Sequence, residues 1–142
     1  MFNKKRALKL SILFLYAIAL LDIIRGFMHT FNINWAAENI AKIEAIPDSM
    51  ILMGSFGMSN FLTGFIYLLV LRKAKHLTPY VLAFIPLAYG LGIVGLKLQG
   101  ISMDAEFSGQ YMMFVYLGLC ALISLNYFAS SRKELRHETT IK

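Results

Sequence analysis

Apolar residues run almost unbroken through four stretches, Leu8 to Met28, Met50 to Leu71, Tyr80 to Leu98 and Gly109 to Ala129, and polar residues collect between them. About 20 helical residues cross the hydrocarbon core of a bilayer, so each stretch predicts one membrane-spanning helix. The chain of 142 residues therefore reads as a single domain, an all-α integral membrane four-helix bundle. The first stretch also has features of a secretion signal, with Lys4, Lys5 and Arg6 ahead of it and Ala17 and Ala19 in cleavage-site spacing. Leu20, Leu21, Ile23 and Ile24 carry the apolar run well past that site, which favours an uncleaved anchor.

Between spans one and two, Asn34 to Ile46 predicts a short helix ending before Pro47. Ile33, Ala36, Ala37, Ile40 and Ile43 share one face at helical spacing, and Glu38 and Lys42 point elsewhere. Such a segment is expected to lie along the outer membrane surface with Trp35 at headgroup depth; its other conceivable role is a lid. Thr78 and Pro79 predict the entry to span three, the hydroxyl capping free amides and the proline sitting where its missing N–H costs nothing. Pro86 removes one backbone hydrogen bond inside that span.

Charge gives the expected orientation. Lys4, Lys5, Arg6 and Lys9 precede span one, Arg72, Lys73 and Lys75 separate spans two and three, and Arg132, Lys133 and Arg136 follow span four. The other loops hold Glu38, Lys42, Glu44 and Asp48, then Lys97, Asp104 and Glu106. With an even number of spans, all the basic flanks fall on one side, which predicts a cell (inner) membrane protein with both termini cytoplasmic. The net charge of +6 is absorbed by these flanks; no basic face with interleaved aromatics exists, so nucleic acid is not an expected partner. A composition of 58% apolar and 15% charged residues, with a mean hydropathy of +0.61, agrees with lipid as the solvent. The single cysteine, Cys120, excludes a disulfide framework.

Helices in lipid associate through small and polar residues. Span two offers Ser55, Ser59 and Thr63 at four-residue spacing with Gly57 and Gly64 nearby, and span three offers Ala88, Gly92 and Gly95, all expected to be packing seams. Ionisable groups inside a span are costly and mark candidate sites. Asp22, Arg25 and His29 lie on one face of span one with Gly26 beside them, and Asp22 is about 10 Å below the outer end at 1.5 Å per residue. Ser59 and Asn60 of span two, Tyr89, Lys97 and Gln99 of span three, and Gln110 and Tyr116 of span four fall in the same outer half, whereas the inner half is mostly apolar apart from Tyr67, Ser124, Asn126 and Tyr127. This asymmetry predicts a pocket open to the outer side, with Asp22, Arg25, His29, Ser59, Asn60, Tyr89 and Tyr116 as its ligand-binding residues.

His29, His76 and His137 lie on different segments and lack neighbouring Cys or carboxylate ligands at suitable spacing, so no zinc site or bis-histidine haem is expected, and no phosphate loop, dinucleotide fingerprint or nucleophile elbow occurs. No cofactor is expected. The basic N-terminal flank, Arg25-Gly26 late in span one, the stretch from Gly57 to Gly64 running into Arg72-Lys73, and Leu91-Gly92-Ile93-Val94-Gly95 leading to Gln99-Gly100 together resemble small four-span DoxX-like membrane proteins. That resemblance implies an accessory membrane subunit, some members being associated with oxidation of quinones or sulfur compounds; where the group often has an acid in span two, this chain has Asn60. The small multidrug transporters are also short and four-span, but their lone acid in span one is here accompanied by Arg25.

Three functions follow as expectations. The first is a non-catalytic module binding a small lipophilic ligand, a membrane partner subunit or a second copy of itself. The second is an enzyme acting on a lipid or isoprenoid-like substrate through Asp22, Arg25 and His29. The third is a small-molecule transporter. Against all of them stands a purely structural role, in which Asp22 and Arg25 neutralise each other as an i, i+3 pair. Reporter fusions after Asn39 and after Lys75 should land on opposite sides of the membrane, with the Lys75 fusion in the cytosol.

Overall fold

The computed structural model describes residues 3–100 and 109–140, with side chains described for 3–100 and 111–134. The acids Asp104 and Glu106 and the side chains of Gln110, Arg136 and His137 lie outside the described residues. Helix α1 spans Lys4–Phe31, α2 Ile33–Ala36 with a π-helical turn Ala37–Ala41, α3 Pro47–Lys73, α4 Thr78–Leu98 and α5 Gly109–Thr140. No strand occurs among the described residues. Four of these helices are long and apolar enough to cross a membrane, and each contains one predicted span. Their outward faces carry Leu13, Leu52, Phe56, Leu91 and Leu122, each more than 60% exposed. A continuous surface of this kind is one that hydrocarbon accepts and water does not.

Local chemistry sets the helix ends. Asn3 caps α1 by accepting the Lys5 backbone N–H at 3.1 Å, and α3 starts on Pro47 with Asp48 in its first turn, where a negative charge meets the helix dipole. Lys4 Nζ at the start of α1 lies 3.2 Å from Glu134 Oε2 near the end of α5, so both chain ends sit at one end of the bundle. That end also holds Lys5, Arg6, Lys9, Arg72, Lys73, Lys75, Arg132 and Lys133 and is called the basic end below; the α2 segment marks the far end.

The tightest contact is between α1 and α3. A methyl group at Gly57 would run into Thr30 Oγ1 and stand 3.1 Å from Gly26 O and His29 C, and one at Gly26 would lie 2.9 Å from the Phe61 ring. One at Gly64 would lie 2.8 Å from Ile23 Cγ1 and 3.2 Å from Ala19 O. The buried residues of α1 follow this contact and the bundle axis: Ala7, Ser11, Leu15, Ile18, Asp22 and Gly26 recur every three or four positions. In the basic half a core of Leu15, Ile18 and Ala19, Leu71, Leu82 and Ile85, and Cys120 joins all four long helices.

Several expectations are corrected. Ser55 and Ser59 are exposed, so the seam of α3 runs through Met53, Gly57, Gly64 and Leu71 instead. Ala88, Gly92 and Gly95 do not form a seam among the described residues: they are exposed, and none of those residues places an atom outside the helix's own backbone within 4 Å of a methyl group built on either glycine. Burial of α4 stops at Pro86; Leu82 and Ile85 are in the core, whereas from Leu87 to Leu98 only Ile93 is even half-buried. Thr78 does not cap α4. A 3-10 turn at Lys75–Leu77 runs directly into the helix and supplies its first backbone bonds, so Thr78 is already helical and its Oγ1 is buried without a partner among the described residues. The segment between the first two spans is helical only from Ile33 to Ala41 and ends at Lys42, whose φ of 53° is left-handed. Its wider π turn places Ala41, rather than Ile40, beside Ala36 and Ala37 against Met53, which leaves Trp35, Ile40, Ile43 and Ile46 exposed.

Gly57→Ala should cost about 1–3 kcal/mol through overpacking, whereas Gly92→Ala should leave stability unchanged or raise it by up to about 1 kcal/mol through helix propensity. Titrating neutral micelles of the protein with dodecyl sulfate and following helical circular dichroism measures both.

Candidate functional site

A carboxylate is expensive in a membrane helix unless a neighbour supplies donors. Asp22 is only 5% exposed, and it meets Thr63 Oγ1 of α3 at 3.0 Å. The same hydroxyl lies 3.1 Å from Ser59 O and 3.0 Å from Asn60 O. One hydroxyl proton thus faces three acceptors. With Asp22 charged, Thr63 donates to the carboxylate; with Asp22 protonated, the acid donates to Thr63 and Thr63 donates to its own helix. The pair accommodates either state with no buried oxygen stranded.

The remaining helices bring their polar residues to the same region. Asn60, Thr63 and Tyr67 step along one face of α3, and Tyr116 and Cys120 along one face of α5. Tyr67 and Tyr116 are neighbours, and both lie within electrostatic reach of Asp22, Cys120 and Tyr89. Nearer the far end, Asn60 Nδ2 stands 3.5 Å from His29 Nδ1, a long contact in which the amide donates to the ring nitrogen. Arg25 lies between these levels, half-buried and near enough to Asp22 and His29 to act on both through space. No carboxylate of the described residues stands within ion-pair distance of it. The Asp22–Arg25 pair is therefore close but not in contact, because Asp22 is turned to Thr63.

Of the seven predicted site residues, Asp22, His29, Asn60 and Tyr116 are brought toward one polar column along the bundle, Arg25 borders it, and Tyr89 is exposed on α4, within electrostatic reach of Tyr67 and Tyr116 only. Ser59 is not part of it; two residues past Gly57, its side chain is exposed on the other side of α3. Thr63 and Tyr67 were not among the expected ligands, although successive steps of three and four residues from Asn60 placed them on its face. Cys120 is a third addition, four residues from Tyr116 and fully buried.

Beside this column, α1 and α5 enclose a laterally open groove of about 420 Å³. Phe14, Ala17, Ile18 and Leu21 form one wall, and Tyr111, Met112, Val115, Tyr116 and Leu119 the other. Tyr111, Met112 and Val115 on its α5 wall are largely exposed, so the groove opens onto the apolar surface of the bundle. Tyr116 belongs both to this wall and to the polar column. Fold and site together define a four-helix membrane bundle with a buried polar centre beside a lipid-facing groove. No family model, curated protein or solved structure matches the chain.

Thr63→Val keeps the side-chain shape but removes Asp22's hydroxyl partner and should destabilise the bundle by about 0.6–1.7 kcal/mol. Ser59→Ala, on the exposed face, should stay within about 0.5 kcal/mol of the parent protein. Thermal unfolding in neutral micelles compares them.

Proposed function

We propose that the protein is a non-catalytic membrane module that binds a lipophilic small molecule, its apolar body in the α1–α5 groove and its polar head against Tyr116 and the Asp22 centre. The observation that carries this reading is the double position of Tyr116, at once a wall of the groove and a neighbour of Tyr67 and Asp22. Ligand sites in membrane bundles combine an apolar cleft with a few convergent polar groups, and this is the arrangement here. In this reading the module sits in a cell (inner) membrane with its basic end in the cytoplasm, in line with the positive-inside rule. It would serve, as in the DoxX-like proteins its motifs resemble, as an accessory subunit.

The far half of α4 supports a second role, docking a partner subunit or a second copy. Among the described residues its glycines at 90, 92 and 95 have open space around them, which suits close approach by another membrane helix.

Native mass spectrometry of the protein extracted from its own membranes in mild detergent tests the ligand reading. The parent protein should carry a lipophilic adduct. Ala17→Trp, which fills the groove from an exposed position, should lose it, and Tyr116→Phe should hold it less well. A parent protein that is bare under these conditions would overturn the reading.

A further inference from the structure

We propose that Arg25 gives this site its headgroup specificity, binding the phosphate oxyanion of an acidic amphiphile whose chain occupies the α1–α5 groove. The inference rests on the groove reading and adds the chemical class of the ligand.

The first argument is position. Phe14, Ala17, Ile18 and Leu21 line the groove from α1 in steps of three and four, and the next step along that stripe is Arg25. A chain lying in the groove with its head toward the far end therefore presents that head to the guanidinium. Arg25 is six residues from the end of α1 at Phe31, about 9 Å at 1.5 Å per residue. A long, flexible side chain spans much of that distance toward the level of lipid headgroups.

The second argument is charge. A guanidinium stays protonated and cannot escape its desolvation cost by losing a proton. Arg25 is half-buried in a membrane helix, yet among the described residues no carboxylate pairs with it. Asp22 is engaged with Thr63, and Glu38, Glu44 and Asp48 at the far end are exposed. Asp22 acts on the guanidinium only through space, and a cationic head would be repelled by it. A phosphate oxyanion matches the planar fork of the guanidinium with two parallel hydrogen bonds.

The third argument is surroundings. The groups next along the column are the neutral Asn60 amide and the His29 ring, which face each other at 3.5 Å and add no negative charge, and the far halves of α4 and α5 that border this region are largely exposed among the described residues. The head can thus enter from the side, in the plane of the bilayer.

The test uses the full chain reconstituted in nanodiscs of equal parts phosphatidylglycerol and phosphatidylcholine, released into neutral detergent and weighed with its retained lipid. The parent protein should retain phosphatidylglycerol about tenfold over phosphatidylcholine, within the range expected for one charge-assisted contact. Arg25→Gln should abolish that preference while still retaining lipid, and Arg25→Lys should keep part of it. Retention of both lipids in equal amounts by the parent protein would overturn the phosphate assignment and leave the groove reading standing. A preference that survives Arg25→Gln but disappears in Lys73→Gln/Lys75→Gln would place it at the basic end and overturn the proposal. A second arm separates a lipid head from a soluble ion: thermal unfolding in neutral micelles with inorganic phosphate or chloride at equal ionic strength. Stabilisation by phosphate that Arg25→Gln removes supports the oxyanion site and assigns it to a soluble phosphate. No stabilisation together with no lipid preference overturns it. Loss of all retained lipid from the parent protein would count against the groove itself.

Discussion

Two helix backbones approach closely in lipid only where the residues between them are small, and the contact of α1 with α3 is built on that constraint. Hydrocarbon side chains gain nothing by leaving hydrocarbon for one another, so the attraction has to come from van der Waals contact at short range and from hydrogen bonds. Gly26, Gly57 and Gly64 supply the first, and Asp22 with Thr63 the second. The two depend on each other. The threonine hydroxyl reaches the carboxylate because the glycines let the backbones close, and the carboxylate is tolerable in the bilayer because the hydroxyl is there.

From this contact the rest of the site follows. Once Thr63 is held against Asp22, Asn60 and Tyr67 on the same face of α3 are delivered to His29 on one side and Tyr116 on the other. The basic half is closed by apolar residues from all four long helices, and the far half is more open because, among the described residues, α4 buries little beyond Pro86. Asp22 lies at the boundary between the two. A polar centre in that place has large apolar side chains on its basic side and the more exposed halves of α4 and α5 on the other.

Much of this was legible in the residue pattern, for identifiable reasons. The spans, their number and the clustering of basic flanks at one end follow from the cost of placing polar groups in hydrocarbon, which is large and acts residue by residue. Asp22 and Asn60 stood out for the same reason. What the pattern did not reveal depends on which face of a helix meets a neighbour. Ser55, Ser59, Ala88, Gly92 and Gly95 are as small as Gly57 and Gly64, and only the packing separates residues that face a helix from those that do not. Tyr67 was counted with the apolar half because depth along one helix says nothing about the tilt or register of the next. Thr78 and Ile40 were misplaced by a 3-10 and a π turn, in which a small change in hydrogen-bond register rotates the side chains that follow.

The α1–α3 contact also bears on how such a chain matures as it leaves the ribosome. Its first 73 residues already contain the glycine interface, the Asp22–Thr63 bond and the Ala36–Ala37–Ala41 clasp on Met53. A nascent hairpin of this kind shelters its carboxylate while the second pair of helices is still being synthesised. In chain order α4 and α5 come after this pair, so they pack onto helices whose mutual contacts all lie N-terminal to them.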